Sequence, residues 1–229
     1  MRNFLKKITH PFLKMGLRLF YLKPRKYHYD AIEVVVHPDV FPPHLTLSTK
    51  ILLDFINPID LKNKTLLELG CGSGIISLYA SKKGAQVTAT DINPKALDYL
   101  KKAKDKNNLQ ADILYSDLFD QLTNRYFDYI IINPPYYPKT PKTIKEKAWF
   151  CGEDFEYFKK LFTQLPNHMT TTSIVYMILS EDCEIDQIKE IVFTTNLDLN
   201  LVLEKKVVGE KNYIFQIKLK LTNLKTVNK

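Results

Sequence analysis

Thr65-Leu66-Leu67-Glu68-Leu69-Gly70-Cys71-Gly72-Ser73-Gly74 is the stretch that decides the fold. Its first half is a short apolar run typical of a buried strand, and its second half is a glycine loop that leads into a predicted helix. The chain has seven glycines, and three of them fall in this loop. Glycine suits a sharp strand-to-helix turn and a backbone that a ligand must approach closely. The stretch therefore predicts a ligand site at the end of a strand in an α/β sheet.

Strands and helices alternate on both sides of this loop. The predicted strands cover 32–36, 65–69, 86–90, 111–115, 127–132 and 173–180. The predicted helices cover 46–56, 75–83, 94–107, 154–165 and 185–194. Two tail segments, 197–207 and 213–221, alternate with period two on either side of Gly209, which predicts an antiparallel hairpin. We expect an α/β fold: a doubly wound, mostly parallel, seven-stranded Rossmann-like sheet that ends in this hairpin.

The net charge of +8 is concentrated at the N-terminus. Residues 1–26 carry eight Lys and Arg and no acid, whereas the other 25 basic residues face 25 acids. We predict a basic N-terminal helix and short strand extension over 1–45, with the helix at 11–22, and a catalytic domain over 46–229. Residues 1–26 are expected to contact RNA or an anionic surface.

Cys71, Cys151 and Cys183 are scattered, and no Cys or His pair has the spacing of a metal site. We therefore expect a reducing compartment and no metal. No apolar run approaches the roughly 18–20 residues of a membrane span, and the N-terminus does not resemble a signal peptide. A cytoplasmic location and a monomer are expected.

The spacing of the glycine loop discriminates between two kinds of ligand. A dinucleotide fingerprint would need glycine at 75 or 77, where Ile75 and Ser77 stand. Asp91 follows Gly70 by 21 residues, near the spacing at which an acid accepts from ribose hydroxyls. Helix capping is the alternative role for Asp91, although Asn93 with Pro94 is predicted to cap the next helix. The spacing thus favours a nucleoside-bearing cofactor other than a dinucleotide.

Asn133-Pro134-Pro135-Tyr136 directly follows the apolar strand end Ile130-Ile131-Ile132. Ligands in open α/β sheets bind beyond the carboxyl ends of the strands. An amide or exocyclic amino nitrogen is a poor nucleophile because its lone pair is delocalised. The Asn133 side-chain oxygen and the Pro134 carbonyl can accept from its two N–H groups, while Tyr136 offers a face for stacking. A rigid proline turn that ends the strand is the alternative.

Residues 40–180 resemble the class I N-methyltransferases, in particular the release-factor glutamine methyltransferases and relatives that act on nucleobase amino groups. The stretches 68–74 and 133–136 carry this resemblance, and the weaker matches are 40–44, followed by Thr49, and 148–154. The chain departs from the glutamine branch at three positions. It has His44 in place of an arginine, and Cys151 and Phe155 in place of glycines.

The resemblance implies S-adenosyl-L-methionine as the cofactor. It implies that the glycine loop passes under the methionine half, that Glu68 engages the amino group, and that Asp117 accepts from the adenine amino group. The implied catalytic residues are Asn133, Pro134 and Tyr136. The predicted cofactor-binding residues are Thr49, Glu68, Gly70, Cys71, Gly72, Gly74, Asp91, Ile92, Asp117, Leu118 and Asn133.

The predicted activity is S-adenosylmethionine-dependent methyl transfer to a planar amide or amino nitrogen of a macromolecule, protein or RNA. The preferred acceptor is a glutamine of a protein such as a release factor. The basic N-terminus supports an alternative, the exocyclic amino group of adenine or guanine in RNA. A membrane-tethered enzyme and a small-molecule methyltransferase are further alternatives, and the latter would need a lid formed from residues 1–45 or 137–153.

Overall fold

The computed structural model describes residues 22–44, 46–207 and 209–220. The helix predicted at 11–22 lies outside these residues, apart from Leu22. The strands are β1 Arg25–Tyr29, β2 Ile32–Val36, β3 Thr65–Leu69, β4 Gln86–Asp91, β5 Asp112–Tyr115, β6 Tyr129–Ile132, β7 Ile174–Ser180, β8 Leu197–Val207 and β9 Glu210–Leu219. The α-helices are α1 Leu47–Ile56, α2 Ile75–Lys82, α3 Pro94–Lys106, α4 Glu156–Gln164 and α5 Ile185–Phe193.

Seven strands form one sheet in the order β5-β4-β3-β6-β7-β9-β8. The five strands from β5 to β7 pair in parallel, and β9 pairs antiparallel with both β7 and β8. The predicted doubly wound sheet and its C-terminal hairpin are therefore confirmed. The strand order reverses between β3 and β6, which leaves a crevice beyond their carboxyl ends.

Two hydrophobic clusters cover the two faces of the sheet. The first packs α1, α2 and α3 on one face, with Leu52, Leu78 and Leu100 fully buried. The second packs α4 and α5 on the other face, around Phe158 and Phe162. The strands of a parallel sheet are buried on both faces, which explains why β6 ends in three consecutive isoleucines.

Strands β1 and β2 form a hairpin that the sequence predicted only in part. The β-branched run of β2 was expected as a strand, whereas the polar alternation of β1 was not. Ile32, Val34 and Val36 are buried in the first cluster. The hairpin is tied to α3 because the Asn107 side chain accepts from the Glu33 N–H at 3.2 Å and donates to the Glu33 carbonyl at 2.8 Å. The division at residue 45 stays a prediction.

A β-bulge interrupts β8, where Leu201 pairs with Phe215 and Leu203 pairs with the adjacent Ile214. Leu199 therefore packs in the cluster under α4 and α5, while Leu203 packs in the cluster under α1 to α3. Without the bulge these leucines would share one face, as their period of two suggests. The bulge also leaves Leu201 half exposed, at 52%.

Gly74 is essential for the packing of α3 against the glycine loop. Its φ is +71°, and a Cβ there would overlap the side chain of Leu100. We expect Gly74→Ala to lower the free energy of unfolding by about 2–4 kcal/mol, as left-handed strain adds to overpacking. Urea unfolding followed by circular dichroism measures this. The control is Gly209→Ala, with φ +86° and open space around the added Cβ. Equal losses in both variants would contradict the packing role.

Candidate active site

A cavity of about 350 Å³ opens at the carboxyl ends of β3, β4 and β6. This is the point at which the strand order reverses, where open α/β sheets bind their ligands. Ten of the eleven predicted cofactor residues line the cavity: Thr49, Glu68, Gly70, Cys71, Gly72, Asp91, Ile92, Asp117, Leu118 and Asn133. The exception is Gly74, which precedes α2 and packs against Leu100 instead.

The glycine loop leaves room beside its backbone. Gly70 and Gly72 both adopt positive φ, at +73° and +50°. A Cβ at Gly70 would meet no atom within 4 Å, so the main chain there borders open space. A backbone of this kind can lie directly against a ligand.

Glu68 is buried at the floor of the cavity and is 6% exposed. Its carboxylate accepts from the Ser77 N–H at 2.7 Å and from the Ser77 hydroxyl. Burial raises the pKa of Glu68 to about 8, against the opposing effect of the Ser77 hydrogen bonds. A positively charged ligand group would favour the ionised carboxylate, so Glu68 suits an ammonium partner.

Asp91 ties the glycine loop to the start of α3. Its carboxylate accepts from the Gly72 N–H at 2.7 Å and from the Asn93 N–H at 2.8 Å. Burial raises the pKa of Asp91. Asn93 caps α3 by accepting from the Lys95 N–H at 3.1 Å, as the sequence predicted. Asp91 therefore orders two backbone segments, and its contact with a ribose stays a prediction.

Asp117 and Leu118 form the wall of the cavity beyond β5. Lys160 of α4 lies 3.4 Å from the Asp117 carboxylate and pairs with Asp120 at 2.7 Å. Leu118 is buried with a φ of +53°, a conformation rare for a bulky residue. This strained turn brings Asp117 to the cavity, and Lys160 restrains its carboxylate.

The Asn-Pro-Pro-Tyr segment divides between the cavity and the core. Asn133 and Pro135 line the cavity, and the Asn133 Nδ2 donates to the Ser48 hydroxyl at 3.2 Å. Pro134 is buried and lies outside the cavity lining. Tyr136 also lies outside that lining. Its ring packs on the second hydrophobic cluster, 4.7 Å from the ring of Tyr137. The predicted catalytic roles of Pro134 and Tyr136 stay predictions.

The cavity is covered by two segments that meet above it. Phe41, from the segment before α1, contacts Trp149, with ring centroids 4.9 Å apart. Asp39 lies 3.5 Å from Lys145 and 2.5 Å from Lys95. The loop between β6 and α4 thus closes over the cofactor side of the crevice.

The loop over 148–154, which carries a weak family resemblance, also lines the cavity with Ala148, Cys151 and Gly152. Gly152 has φ +92°. Phe155 has φ +59° although it stands where the resembling family has glycine. The glycine-like backbone conformation is therefore present without the glycine. Phe155 packs on the second hydrophobic cluster, which offsets part of the strain.

Sequence reasoning missed several residues of the cavity wall. Phe41, Lys147, Tyr157 and Lys160 all line it. Each reaches the cavity through a loop or helix that folds back over the sheet. Phe41 lies in the weakly matching stretch 40–44, whereas the other three belong to no motif.

Three negative findings apply to the described ranges 22–44, 46–207 and 209–220. In them, no three His, Cys, Asp or Glu side chains are arranged to hold a metal ion. No helix there is both long and apolar enough to cross a membrane. Cys71, Cys151 and Cys183 are buried and form no disulfide.

The residues present fit S-adenosyl-L-methionine. The open backbone beside Gly70 leaves space for a ligand, and the buried Glu68 suits its ammonium group. Asp91 ends β4 and Asp117 follows β5, and both line the cavity, while their contacts with ribose and adenine stay predictions. The fold and cavity define a class: Rossmann-like enzymes that use a nucleoside-bearing cofactor.

Comparisons with known proteins identify the family. Residues 31–150 match the family described as Methyltransferase small domain. A Methanocaldococcus jannaschii protein named "Putative protein N5-glutamine methyltransferase" is 32% identical over 182 residues, which cover 75% of this chain and 90% of that protein. The chain belongs to this methyltransferase family.

Two further similarities extend the comparison. A Haemophilus influenzae protein named ribosomal RNA small subunit methyltransferase C is 36% identical over 145 residues, 58% of this chain. The match spans only 43% of that relative. A crystal structure of a methyltransferase from Pyrococcus furiosus has a TM-score of 0.63 at 21% identity, covering 82% of this chain and 89% of that one.

The predicted enzyme class is thereby confirmed: the chain is a methyltransferase that uses S-adenosyl-L-methionine. The predicted transfer to nitrogen agrees with the printed name of the Methanocaldococcus jannaschii relative.

Cofactor affinity is expected to rise with pH between about pH 6 and pH 7.5, by up to about tenfold per unit. Burial raises the pKa of Glu68 to about 8, so Glu68 is protonated in this range in the free protein. The ligand ammonium favours the ionised form, so binding releases a proton and strengthens as pH rises. Calorimetric titration with S-adenosylhomocysteine measures this. Glu68→Gln should bind more weakly and lose the pH dependence, and a retained dependence would contradict the assignment to Glu68.

Proposed function

We propose that this enzyme methylates the side-chain nitrogen of a glutamine in a protein substrate. The observation that carries the proposal is the position of Asn133, which lines the cofactor cavity with its Nδ2 already bonded to Ser48. This arrangement leaves the Oδ1 of Asn133 to accept from an acceptor nitrogen. A planar amide is the group that such an oxygen can orient.

The proposed reaction needs no strong general acid or general base. When bound, S-adenosyl-L-methionine supplies an electrophilic methyl group on its sulfonium. Asn133 Oδ1 and the Pro134 carbonyl would accept the two N–H groups of the amide, which draws the nitrogen lone pair out of conjugation. Positioning and fixed dipoles supply the rate enhancement. The nitrogen becomes cationic on transfer and then releases its proton.

The length of the match supports glutamine over a nucleobase. The chain spans nine-tenths of the archaeal protein whose printed name gives glutamine as the acceptor. It spans less than half of the ribosomal RNA methyltransferase, whose remaining length has no counterpart in the match. We further propose that the enzyme is a cytoplasmic monomer and that its substrate is a release factor or a similar protein.

One observation favours RNA as a second candidate. The loop after Tyr136, which lines part of the cavity, carries four lysines: Lys139, Lys142, Lys145 and Lys147. In the described part of the chain, Lys142 and Lys147 are exposed and have no acidic partner within ion-pair distance. Lys147 also lines the cavity. Such a rim could hold phosphates beside an exocyclic amino group.

Methyl labelling distinguishes the two acceptors. The full chain is incubated with tritiated S-adenosylmethionine and an extract from a strain that lacks the protein, and the protein and RNA fractions are then separated. Acid hydrolysis of N5-methylglutamine releases methylamine, which becomes volatile in alkali. Volatile tritium from the protein fraction supports the proposal. Tritium that stays with nucleosides after nuclease digestion of the RNA would replace it with the second candidate.

Asn133→Ala should reduce the rate of transfer at saturating cofactor by about 10²–10³-fold, the usual effect of removing one preorganised hydrogen-bonding group. Cofactor affinity should stay within about twofold, because the wall from Glu68 to Asp117 is unchanged. Filter binding of tritium and calorimetry measure the two quantities. Asn200→Ala, on the exposed face of β8, is the control. Weaker cofactor binding with normal turnover at saturation would contradict the proposed role of Asn133.

A further inference from the structure

Ser48 lies in the first turn of α1, and its hydroxyl is 3.2 Å from the Nδ2 of Asn133. The two residues are 85 positions apart in the sequence. Ser48 lies within the family match over residues 31–150 but belongs to none of the short motifs that carry the resemblance. Its neighbour Thr49 is buried and lines the cavity, so α1 presents one side chain to the cavity and the other to Asn133.

A side-chain amide has a donor end and an acceptor end, which are nearly equal in shape. If the Asn133 amide turned by half a rotation, its Nδ2 would face the incoming N–H group and repel it. Among the described residues, Ser48 is the one hydrogen-bonding partner of the Asn133 side chain. In this rotamer Nδ2 faces Ser48, which leaves Oδ1 as the end of the amide available to the acceptor nitrogen.

The position of Ser48 is fixed by the packing of α1 on the sheet. Ile51, Leu52 and Leu53 are buried in the first cluster, and Phe55 contacts Tyr176 of β7 with ring centroids 4.8 Å apart. Helix α1 is thus packed against β7, the strand that pairs with β6, and Asn133 follows the end of β6. A serine on this rigid helix can hold the amide without any contribution from the substrate.

We propose that Ser48 is a positioning residue, whose hydroxyl holds Asn133 Nδ2 and directs Oδ1 at the acceptor nitrogen. This inference rests on the proposed function, because it assumes that Asn133 accepts from the methylated group. Ser48 is not among the residues that line the cavity, so its truncation keeps Asn133 Oδ1 but removes the hydrogen bond that orients the amide.

Ser48→Ala should lower the rate at saturating cofactor by about three- to tenfold, the size expected for one lost hydrogen bond. The KM for cofactor should stay within about twofold. Ser48→Thr retains the hydroxyl and should recover most of the rate. The matched control is Ser81→Ala on α2, which removes a hydroxyl that also accepts one hydrogen bond of 3.2 Å, from the Gln110 N–H. Circular dichroism verifies that each variant is folded.

The outcomes separate the inference from the function on which it rests. If Ser48→Ala transfers methyl groups at the parental rate while Asn133→Ala does not, Ser48 has no positioning role and the proposed function stands. If Asn133→Ala also keeps the parental rate, the proposed function fails. A rate loss in Ser48→Ala that Ser48→Thr does not relieve would assign the effect to helix packing and overturn the inference.

A spectroscopic measurement tests the contact without any substrate. The side-chain NH₂ resonances of Asn133 are assigned in a ¹⁵N spectrum by their disappearance in Asn133→Asp. Their chemical shifts and exchange with water should change in Ser48→Ala and stay unchanged in Ser81→Ala. Identical NH₂ resonances in Ser48→Ala and the parent would show that the hydrogen bond does not form, which overturns the inference.

Discussion

The cofactor site depends on two hydrogen bonds that the carboxylate of Asp91 accepts. It lies at the end of β4 and accepts from the backbone N–H groups of Gly72 and Asn93. The side chain of Asn93 in turn donates to the Asp39 carbonyl at 2.8 Å. One half-buried acid thereby joins the glycine loop, the start of α3 and the N-terminal segment. Because its carboxylate is partly shielded from water, the loss of these N–H partners would leave it less well solvated.

The segment held by Asp39 continues into the cover of the cavity. Phe41 rests against Trp149, and Asp39 also lies near Lys145, so the loop after β6 packs on a surface that Asp91 has indirectly ordered. Floor and cover are therefore parts of one hydrogen-bonded and packed assembly. This coupling explains how residues before α1 belong to the cavity wall although the sheet does not contain them.

The sequence predicted what local chemistry determines. The apolar strands, the cap Asn93 and the glycine loop were readable because each has a local physical signature. Gly74 shows where such prediction ends. The loop motif explains its backbone conformation, but the sequence does not reveal that Leu100 of α3 fills the space where a Cβ would lie. The sequence did not predict the bulge between Leu201 and Leu203, because an alternating pattern does not show which face of the sheet each leucine lies on. Ser48 gave no signal, because its partner lies 85 residues away.

The bulge in β8 has a consequence for the outer border of the sheet. Within residues 22–44, 46–207 and 209–220, β8 pairs with β9 alone, so its other side carries backbone groups that a second copy of the chain could extend. Two flat strands must lie in register over several residues to join in this way. The bulge breaks that register at Leu201, and the nearby Lys205 and Lys206 add charge. An irregularity that moves a leucine from one core to the other thus also opposes strand-by-strand self-association.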